Sequence, residues 1–387
     1  MPKPNSIAVI MANRNGSEYI EQAISSILAQ TCSNLTLIVV DDASEDDSVE
    51  RVATLAESDA RIKLIARRKV GGASVVRNDA IAAASADWIA ICDSDDVLHP
   101  DRLQRMLNCA LREGVDMVAD DAIHFATVPM QAPCTVLGLE TSLGARLITL
   151  TELAQNSAIG YLKPLIRRSL LSKRPYDEGL QIGEDYQLYF DLLLEGAKFH
   201  LMPEALYFYR RHPNSLSFRS KPDQVFSQIN RLENVDLSSQ DKETQANVQK
   251  ALRQRLSQLR KMLQRETFAR ALKTRNVTQI LTLFVKHPLT STHWMISLIA
   301  KRSAMKHRTL QTSQGIILTA NDGKSRHSLG QPPGYLALPA PDDGNQMRSF
   351  VAHLNYLASQ GPLEIYGETP KNFKINDYLP AVWASRH

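Results

Sequence analysis

The first 130 residues alternate between short, nearly continuous apolar runs and segments whose apolar residues recur at helical spacing. The apolar runs are Ser6–Met11, Leu35–Val40, Ile62–Ile65, Trp88–Cys92 and the beginning of another at Asp116–Val118. The segments with helical spacing are Tyr19–Gln30, Val49–Glu57, Val75–Ala84 and Pro100–Glu113. Strands that are apolar throughout are typical of a parallel sheet covered on both faces by helices. The pattern therefore predicts a doubly wound α/β domain with a mainly parallel central sheet.

Beyond residue 149 the pattern becomes mixed and then helical. The elements predicted before Phe218 are a helix at Thr151–Ser157 with Thr151 as its cap, a helix at Glu184–Leu194 and a strand at Phe199–Arg210. From about Asp223 to Lys306 helix is predicted to dominate, because leucine and valine recur at spacings of three and four between Val248 and Leu263.

Gly and Pro punctuate the tail that begins near Ser313. The elements predicted there are strands at Gly315–Thr319, Tyr335–Leu338 and Leu363–Tyr366 and a helix at Met347–Ser359. We therefore expect a sheet domain at residues 1–220, a basic helical segment at 221–312 and a small α/β extension of unknown role at 313–387.

Charge is unevenly distributed along the 387 residues. The net charge is +4, but the stretch from Lys250 to Leu310 holds 14 Lys or Arg and the single acid Glu266, so it carries +13 and the remainder −9. A basic helix that also holds apolar groups can lie on an anionic membrane surface, and residues 250–310 fit that description. A helical subdomain with a solvated basic face explains the stretch equally well. Nucleic acid is disfavoured as a partner, because aromatic residues make up only 6% of the chain and no binding motif is present.

Composition is that of a globular protein, with 43% hydrophobic and 22% charged residues. No run of 18 apolar residues lacks a charge, and the N-terminus shows no signal-peptide pattern. The four cysteines have no metal-ligand spacing and are expected to be buried hydrophobes in a reducing compartment. We therefore predict a cytoplasmic protein, either free or peripheral on the inner face of the cytoplasmic membrane.

Polar side chains stand directly after three of the predicted strands. The groups are Asn13 and Asn15, then Asp41 and Asp42, then Asp93, Asp95 and Asp96. In an open α/β sheet the ligand crevice lies along the carboxyl ends of the strands, so these groups are expected to meet. Mg²⁺ and Mn²⁺ prefer oxygen ligands and usually bind one or two carboxylates together with substrate phosphates. Taken alone, each Asp motif is better explained by turn formation or helix capping.

Three further polar features complete the pattern. Arg77 lies one turn into the helix that follows Gly71-Gly72, where it can reach a pyrophosphate or form a structural ion pair. Glu184 and Asp185 open a helix, whose dipole stabilises acids there, and Asp185 is a candidate general base. His212 is a candidate ligand of a metal or phosphate, or an exposed loop histidine.

The order of these motifs resembles that of family 2 glycosyltransferases, enzymes of the GT-A fold that build many bacterial polysaccharides. The resemblance spans about Ser6 to Ser217 and rests on Val9–Gly16, Asp41–Ser44, Arg77-Asn78, Asp93–Asp96 and Glu184-Asp185. It implies a nucleotide-sugar site formed by Ala12, Asn13, Asp41, Asp42, Arg77, Asp93 and Glu184. It also implies that Asp185 is the catalytic base and that Asp95 and His212 hold Mn²⁺ or Mg²⁺. Ala12 departs from the pattern, since proline is commonest at that position.

The resemblance implies a single displacement that inverts the sugar, from a UDP-sugar donor to a saccharide or lipid-linked oligosaccharide acceptor. Two other functions make different demands on the sequence. A sugar nucleotidyltransferase would need a Gly-rich N-terminal loop with a lysine, whereas Asn13–Ser17 holds one Gly and no Lys. A glycosyltransferase-like binding subunit without activity would not need Asp95 and Asp185, and both are present.

Overall fold

The computed structural model describes residues 5–126, 136–137, 145–212, 222–286, 315–320, 335–339 and 363–366. The chain divides into two compact units. The first holds residues 1–178, 184–213 and 314–387, and the second holds residues 179–183 and 214–313. The predicted division into three parts at residues 220 and 312 stays a prediction.

In the first unit, nine of the described strands form one sheet. They are β1 (Ile7–Asn13), β2 (Leu35–Asp41), β3 (Ile62–Ala66), β4 (Trp88–Ile91), β5 (Val97–Leu98), β6 (Met117–Ala126), β7 (Arg146–Ile148), β8 (Leu165–Arg167) and β9 (Phe199–Arg211). Their order across the sheet is β3-β2-β1-β4-β8-β6-β9-β5, and β7 pairs with β9. The helices of this unit are α1 (Ile20–Leu28), α2 (Ser48–Ser58), α3 (Ala73–Ala83), α4 (Arg102–Glu113), α5 (Leu150–Gln155), α6 (Arg168–Lys173), α7 (Glu184–Leu194) and a 3-10 helix at Ser157–Tyr161.

The sheet is parallel in one half and mixed in the other. Strands β3, β2, β1 and β4 pair in parallel. Strand β8 is antiparallel to β4 and β6, β6 is parallel to β9, and β5 and β7 are antiparallel to β9. The predicted α/β class is confirmed. The expected parallel arrangement holds for the half of the sheet that contains β3, β2, β1 and β4. Strands β5, β7 and β8 were missed because runs of two or three residues are too short to show a strand period.

Burial explains the pattern of apolar residues in these strands and helices. Strands β1 and β2 are buried along nearly their whole length, so their sequences lack alternating polar residues. Helix α1 buries Ile20, Ala23, Ile24 and Ile27, which recur at spacings of three and four. Helix α4 is followed by Gly114, whose φ of 60° and ψ of 42° form the left-handed cap that glycine adopts at little cost.

The N-cap of helix α5 lies two residues earlier than the sequence suggested. Thr149, not Thr151, is its N-cap, and the Thr149 side chain accepts the backbone N–H of Glu152 at 3.1 Å. The predicted cap was wrong because Thr149 has the extended backbone that an N-cap requires, while Thr151 is already inside the helix.

The second unit is helical among its described residues. Its helices are α8 (Pro222–Glu233), α9 (Lys242–Lys273) and α10 (Val277–Lys286). The predicted helical stretch is interrupted twice. Asp241 caps α9 by accepting the N–H of Thr244 at 2.9 Å, and Arg275, with a φ of 55°, separates α9 from α10. The predicted continuation to Lys306 lies outside the described residues.

Three strands near the C-terminus form an antiparallel sheet in the order β11-β10-β12. They are β10 (Gly315–Ala320), β11 (Tyr335–Pro339) and β12 (Leu363–Tyr366), each within one residue of its predicted bounds. The predicted helix at Met347–Ser359 lies outside the described residues. Within the described chain, no helix is both long and apolar enough to cross a membrane.

Candidate active site

The carboxyl ends of β1 and β2 hold a hydrogen-bonded group of Asn13, Asp41 and Ser44, here called the Asp41 cluster. Asn13 lies opposite Asp41 in the parallel register, and its Nδ2 donates to Asp41 Oδ2 at 2.7 Å. Ser44 Oγ donates to the same oxygen at 2.6 Å, and the Ser44 N–H donates to Asp41 Oδ1 at 2.9 Å. Asn13 and Asp41 are both buried. Strand register and one turn are therefore enough to build this cluster.

Asp42 anchors the glycine-rich turn that leads into α3. Its Oδ1 accepts the N–H of Gly71 at 2.7 Å and its Oδ2 accepts the N–H of Gly72 at 2.9 Å. Gly72 has φ 88° and ψ 167°, a conformation that is essentially restricted to glycine. The Asp42 carboxylate thus fixes the start of the helix that presents Arg77.

The buried guanidinium of Arg77 contacts three carboxylates. Its NH1 donates to Glu184 Oε1 at 2.7 Å and to Asp185 Oδ1 at 3.3 Å. Its NH2 donates to Asp93 Oδ1 at 2.9 Å. The planar fork of arginine suits such multiple pairing. Arg77 therefore joins the strand end that holds Asp93 to the first turn of α7.

Two residues that the sequence reasoning missed complete this group. The Lys163 Nζ lies 2.9 Å from Asp93 Oδ2 and 2.8 Å from Asp185 Oδ2. The Tyr176 hydroxyl donates to Asp185 Oδ1 at 2.9 Å, and its ring centroid lies 5.3 Å from the Arg77 guanidinium. We call the set the Asp185 network; its members are Arg77, Asp93, Lys163, Tyr176, Glu184 and Asp185.

A sequence signal for Lys163 did exist. It is the one charged residue in the apolar stretch Tyr161–Ile166, and a charge in such a stretch is rarely buried without a partner. Tyr176 has no comparable signal, because an isolated tyrosine in a loop is compatible with many roles.

Opposite charges outweigh burial at two members of this network, Asp93 and Lys163. Burial raises the pKa of Asp93, but Lys163 and Arg77 outweigh it and hold that pKa well below its ordinary value. Burial lowers the pKa of Lys163, but Asp185 and Asp93 outweigh it and hold that pKa well above its ordinary value. Burial raises the pKa of Glu184, and the neighbouring Asp185 raises it further. Asp93 and Lys163 are therefore ionised at neutral pH inside the protein.

Asp96 shapes the turn after β4 from its inner side. The Tyr207 hydroxyl donates to Asp96 Oδ2 at 2.5 Å, and the Arg210 N–H donates to Oδ1 at 2.7 Å. Burial raises the pKa of Asp96 well above its ordinary value, and Asp95 and Asp93 raise it further. Asp96 thus faces inward, whereas the side chains of Asp93 and Asp95 are 26% and 29% exposed.

Asp95 and His212 form the candidate metal site. Asp95 Oδ2 lies 2.8 Å from His212 Nε2, and the two side chains are 29% and 10% exposed. Arg210 Nε donates to the Asp95 backbone oxygen at 2.6 Å, and its guanidinium lies 4.5 Å from the Tyr19 ring centroid. In the part of the chain that is described, no three His, Cys, Asp or Glu side chains cluster as metal ligands. One carboxylate and one imidazole fit an ion that takes its other ligands from substrate phosphates and water.

The structure therefore distributes the predicted site residues over three groups at the same sheet edge. Asn13 and Asp41 lie in the Asp41 cluster, with Asp42 on the adjoining turn and Ala12 half-buried beside Asn13. The Asp185 network gathers Arg77, Asp93, Glu184 and Asp185, and the third group is Asp95 with His212. Arg77, expected beside the base or diphosphate, is engaged with carboxylates in this structure.

Comparison with known proteins decides the family. Residues 6–130 match the model of glycosyl transferase family 2. The chain is 33% identical over 238 residues to the succinoglycan biosynthesis protein ExoO of Rhizobium meliloti, an alignment that covers 59% of this chain and 67% of ExoO. The chain belongs to glycosyl transferase family 2. Its enzyme class is thus glycosyltransferase, as the order of its motifs implied.

This family 2 glycosyltransferase has a further relative in Escherichia coli. The chain is 30% identical over 187 residues to UDP-Glc:alpha-D-GlcNAc-diphosphoundecaprenol beta-1,3-glucosyltransferase WfgD. This alignment covers 48% of the chain and 69% of WfgD. The chain thus aligns with about two thirds of the length of ExoO and WfgD.

A solved structure shows the same fold. Staphylococcus aureus TarS 1–349, in complex with UDP-GlcNAc, superposes with a TM-score of 0.51 at 17% identity and covers 73% of this chain and 92% of TarS 1–349. The central sheet with flanking helices is that of the GT-A fold, as expected.

Proposed function

We propose that this protein transfers a sugar from a UDP-sugar donor to a hydroxyl of a saccharide or lipid-linked saccharide, with inversion at the transferred sugar. The observation that supports this most is the Asp185 network. In this network, Arg77 and Lys163 connect Asp185 to Asp93, the carboxylate that is proposed to bind the nucleotide-sugar. A carboxylate that is held in place beside a donor site is what a direct displacement needs as its base.

The displacement would run in one step. Asp185 accepts the proton of the acceptor hydroxyl while that oxygen forms a bond to the anomeric carbon. The bond from the anomeric carbon to the diphosphate oxygen breaks, and its electron pair leaves with the nucleoside diphosphate. Attack from the face opposite the leaving group inverts the configuration. The geometry supports this assignment because Asp185 is held in place by three neighbours, Lys163, Arg77 and Tyr176.

The other site residues would bind and orient the donor. Asn13 and Asp41, with Ala12 and Asp42 beside them, would line the nucleoside pocket, Asp93 would contact the ribose, and Glu184 would support Arg77. Asp95 and His212 would hold Mn²⁺ or Mg²⁺, which when bound offsets the negative charge of the departing diphosphate.

The names of two relatives support the proposed donor and acceptor classes. WfgD is named as using UDP-Glc and a diphosphoundecaprenol-linked GlcNAc, and ExoO is named for succinoglycan biosynthesis. A role in polysaccharide biosynthesis, with a UDP-sugar as donor and a lipid-linked saccharide as acceptor, is consistent with both names.

The decisive experiment compares Asp185→Asn with wild type. The enzyme is incubated with a panel of UDP-sugars, Mn²⁺ and saccharide or lipid-linked acceptors, and product is measured by mass spectrometry. We expect Asp185→Asn to lower kcat about 10²- to 10⁴-fold, the usual contribution of a general base. Asp191→Asn, on the same helix, is the matched control and should turn over like wild type.

Two results would contradict the proposal. Equal turnover by Asp185→Asn and wild type would remove Asp185 from the mechanism. UDP-sugar binding with no transfer to any acceptor class would instead favour a binding subunit.

We further propose that α9 contacts an anionic membrane surface. Between Lys250 and Arg265 the chain has six basic residues and no acid. Five of the six are exposed, namely Lys250, Arg253, Arg260, Lys261 and Arg265. Val248, Leu252, Leu256 and Leu259 are buried on the other side of the helix. Each basic residue near an anionic leaflet contributes about 1 kcal/mol, so this face suits the inner side of the cytoplasmic membrane.

Vesicle sedimentation tests this contact. The triple variant Lys250→Glu, Arg253→Glu and Lys261→Glu should lose binding to phosphatidylglycerol vesicles. The matched control, Lys63→Glu, Lys173→Glu and Lys198→Glu, reverses the same number of exposed basic residues in the first unit and should retain binding. Equal binding by the two triple variants would exclude α9 as the contact.

A further inference from the structure

Lys163 occupies an unusual position for a lysine. It lies between the 3-10 helix and β8 and is 5% exposed. Its backbone oxygen accepts a hydrogen bond from Arg102 NH2 at 2.5 Å, and Arg102 pairs with Asp120 at 2.7 Å where both side chains are fully buried. The backbone of Lys163 is therefore fixed by an internal ion pair, which limits where its ammonium group can go.

The two carboxylate oxygens of Asp185 accept different numbers of hydrogen bonds. Oδ1 accepts two hydrogen bonds, from the Tyr176 hydroxyl at 2.9 Å and from Arg77 NH1 at 3.3 Å. Oδ2 accepts one, from the Lys163 Nζ at 2.8 Å, and the described residues supply it with no second donor. A carboxylate oxygen has two lone pairs, so Oδ1 is saturated while Oδ2 retains one lone pair for a proton.

We propose that Lys163 is the positioning residue of the catalytic base, orienting Asp185 so that Oδ2 is the atom that receives the proton of the acceptor hydroxyl. This inference rests on the proposed role of Asp185 as the base. Lys163 itself touches neither the acceptor nor the transferred sugar in this scheme; it acts through the carboxylate.

The charges around Asp185 explain why the lysine matters for basicity as well as for direction. Arg77 approaches from α3, Tyr176 from the loop before α7, and Glu184 is the adjacent residue on α7. Asp93 faces Asp185 across Arg77 and Lys163. Without Lys163, one arginine would serve the three carboxylates, which favours protonation of Asp185. A protonated Asp185 cannot take the acceptor proton.

The test measures the pH dependence of kcat for Lys163→Ala. Losing a neighbouring cation raises the pKa of a carboxylate, so the base stays protonated to higher pH. We expect the acidic limb of the kcat profile to move up by about one pH unit or more, with the loss of rate greatest at low pH. Ethylammonium added to Lys163→Ala should restore part of the rate and return the limb toward its wild-type position. Lys173→Ala, an exposed lysine on α6, is the matched control and should leave the profile unchanged.

A second variant guards against loss of folding. Lys163→Met fills the space of the side chain without its charge and should show the same displaced limb. A wild-type limb in both variants, or no response of Lys163→Ala to ethylammonium, would overturn the inference. Failure of the proposed function is separate, since it would appear as undiminished turnover by Asp185→Asn.

Discussion

The two sides of the candidate active site are stabilised by different interactions. In the Asp41 cluster, an amide, a hydroxyl and one backbone N–H group satisfy one carboxylate. In the Asp185 network, two cations are shared among three carboxylates. Hydrogen bonds of the first kind contribute about 1 kcal/mol each, whereas a buried charge that loses its partner costs several. The Asp41 cluster should therefore tolerate substitution far better than the Asp185 network.

The largest effect should come from Arg77→Met, which leaves Asp93, Glu184 and Asp185 short of one cation in a buried place. We expect the free energy of unfolding at neutral pH to fall by about 3–5 kcal/mol, measured by urea denaturation. Arg105→Met is the control, because Arg105 pairs with Glu204 at an exposed site and should change stability by less than about 1 kcal/mol. Similar losses in the two variants would contradict the proposed difference between the interactions.

The same contrast explains how much the sequence could reveal. Asn13 and Asp41 each follow an apolar strand, and two neighbouring parallel strands bring their ends together without further information. Lys163 and Tyr176 reach Asp185 because β8 is inserted between β4 and β6 in antiparallel orientation and a loop returns to α7. That arrangement depends on a strand of three residues, which has no readable period. The carboxylates of the network were predicted from their strand and helix ends; one of its two cations was not.

The next effect concerns the glycine turn that Asp42 anchors. Gly72→Ala places a side chain in a backbone region essentially restricted to glycine, and it should cost about 2 kcal/mol of unfolding free energy. Gly114→Ala offers a comparison at an ordinary left-handed helix cap, where the cost should be about 1 kcal/mol. Thermal and urea unfolding of both variants measure which substitution lowers the unfolding free energy more. A smaller loss for Gly72→Ala than for Gly114→Ala would show that the turn relaxes without its glycine.

Titration with Mn²⁺ tests the proposed metal site at Asp95 and His212. His212→Ala should raise the Mn²⁺ concentration for half-maximal transfer about tenfold, because one protein ligand is lost while Asp95 remains. His124→Ala is the control, since His124 packs edge-on against Tyr209 and has no contact with Asp95 among the described interactions. Unchanged Mn²⁺ dependence in His212→Ala, or full activity in EDTA, would remove His212 from the metal site.

The smallest effect should be that of Ser44→Ala in the Asp41 cluster. Two of the hydrogen bonds to Asp41 remain, from Asn13 Nδ2 and from the backbone N–H of residue 44, so the unfolding free energy should fall by only about 1 kcal/mol. Because this cluster would hold the nucleoside in both the ground state and the transition state, the donor KM should rise while kcat stays near wild type. Steady-state kinetics against the donor separate the two parameters. A fall in kcat with unchanged KM would mean that the Asp41 cluster acts in the chemical step. The proposed separation between donor binding at the Asp41 cluster and catalysis at the Asp185 network would then be wrong.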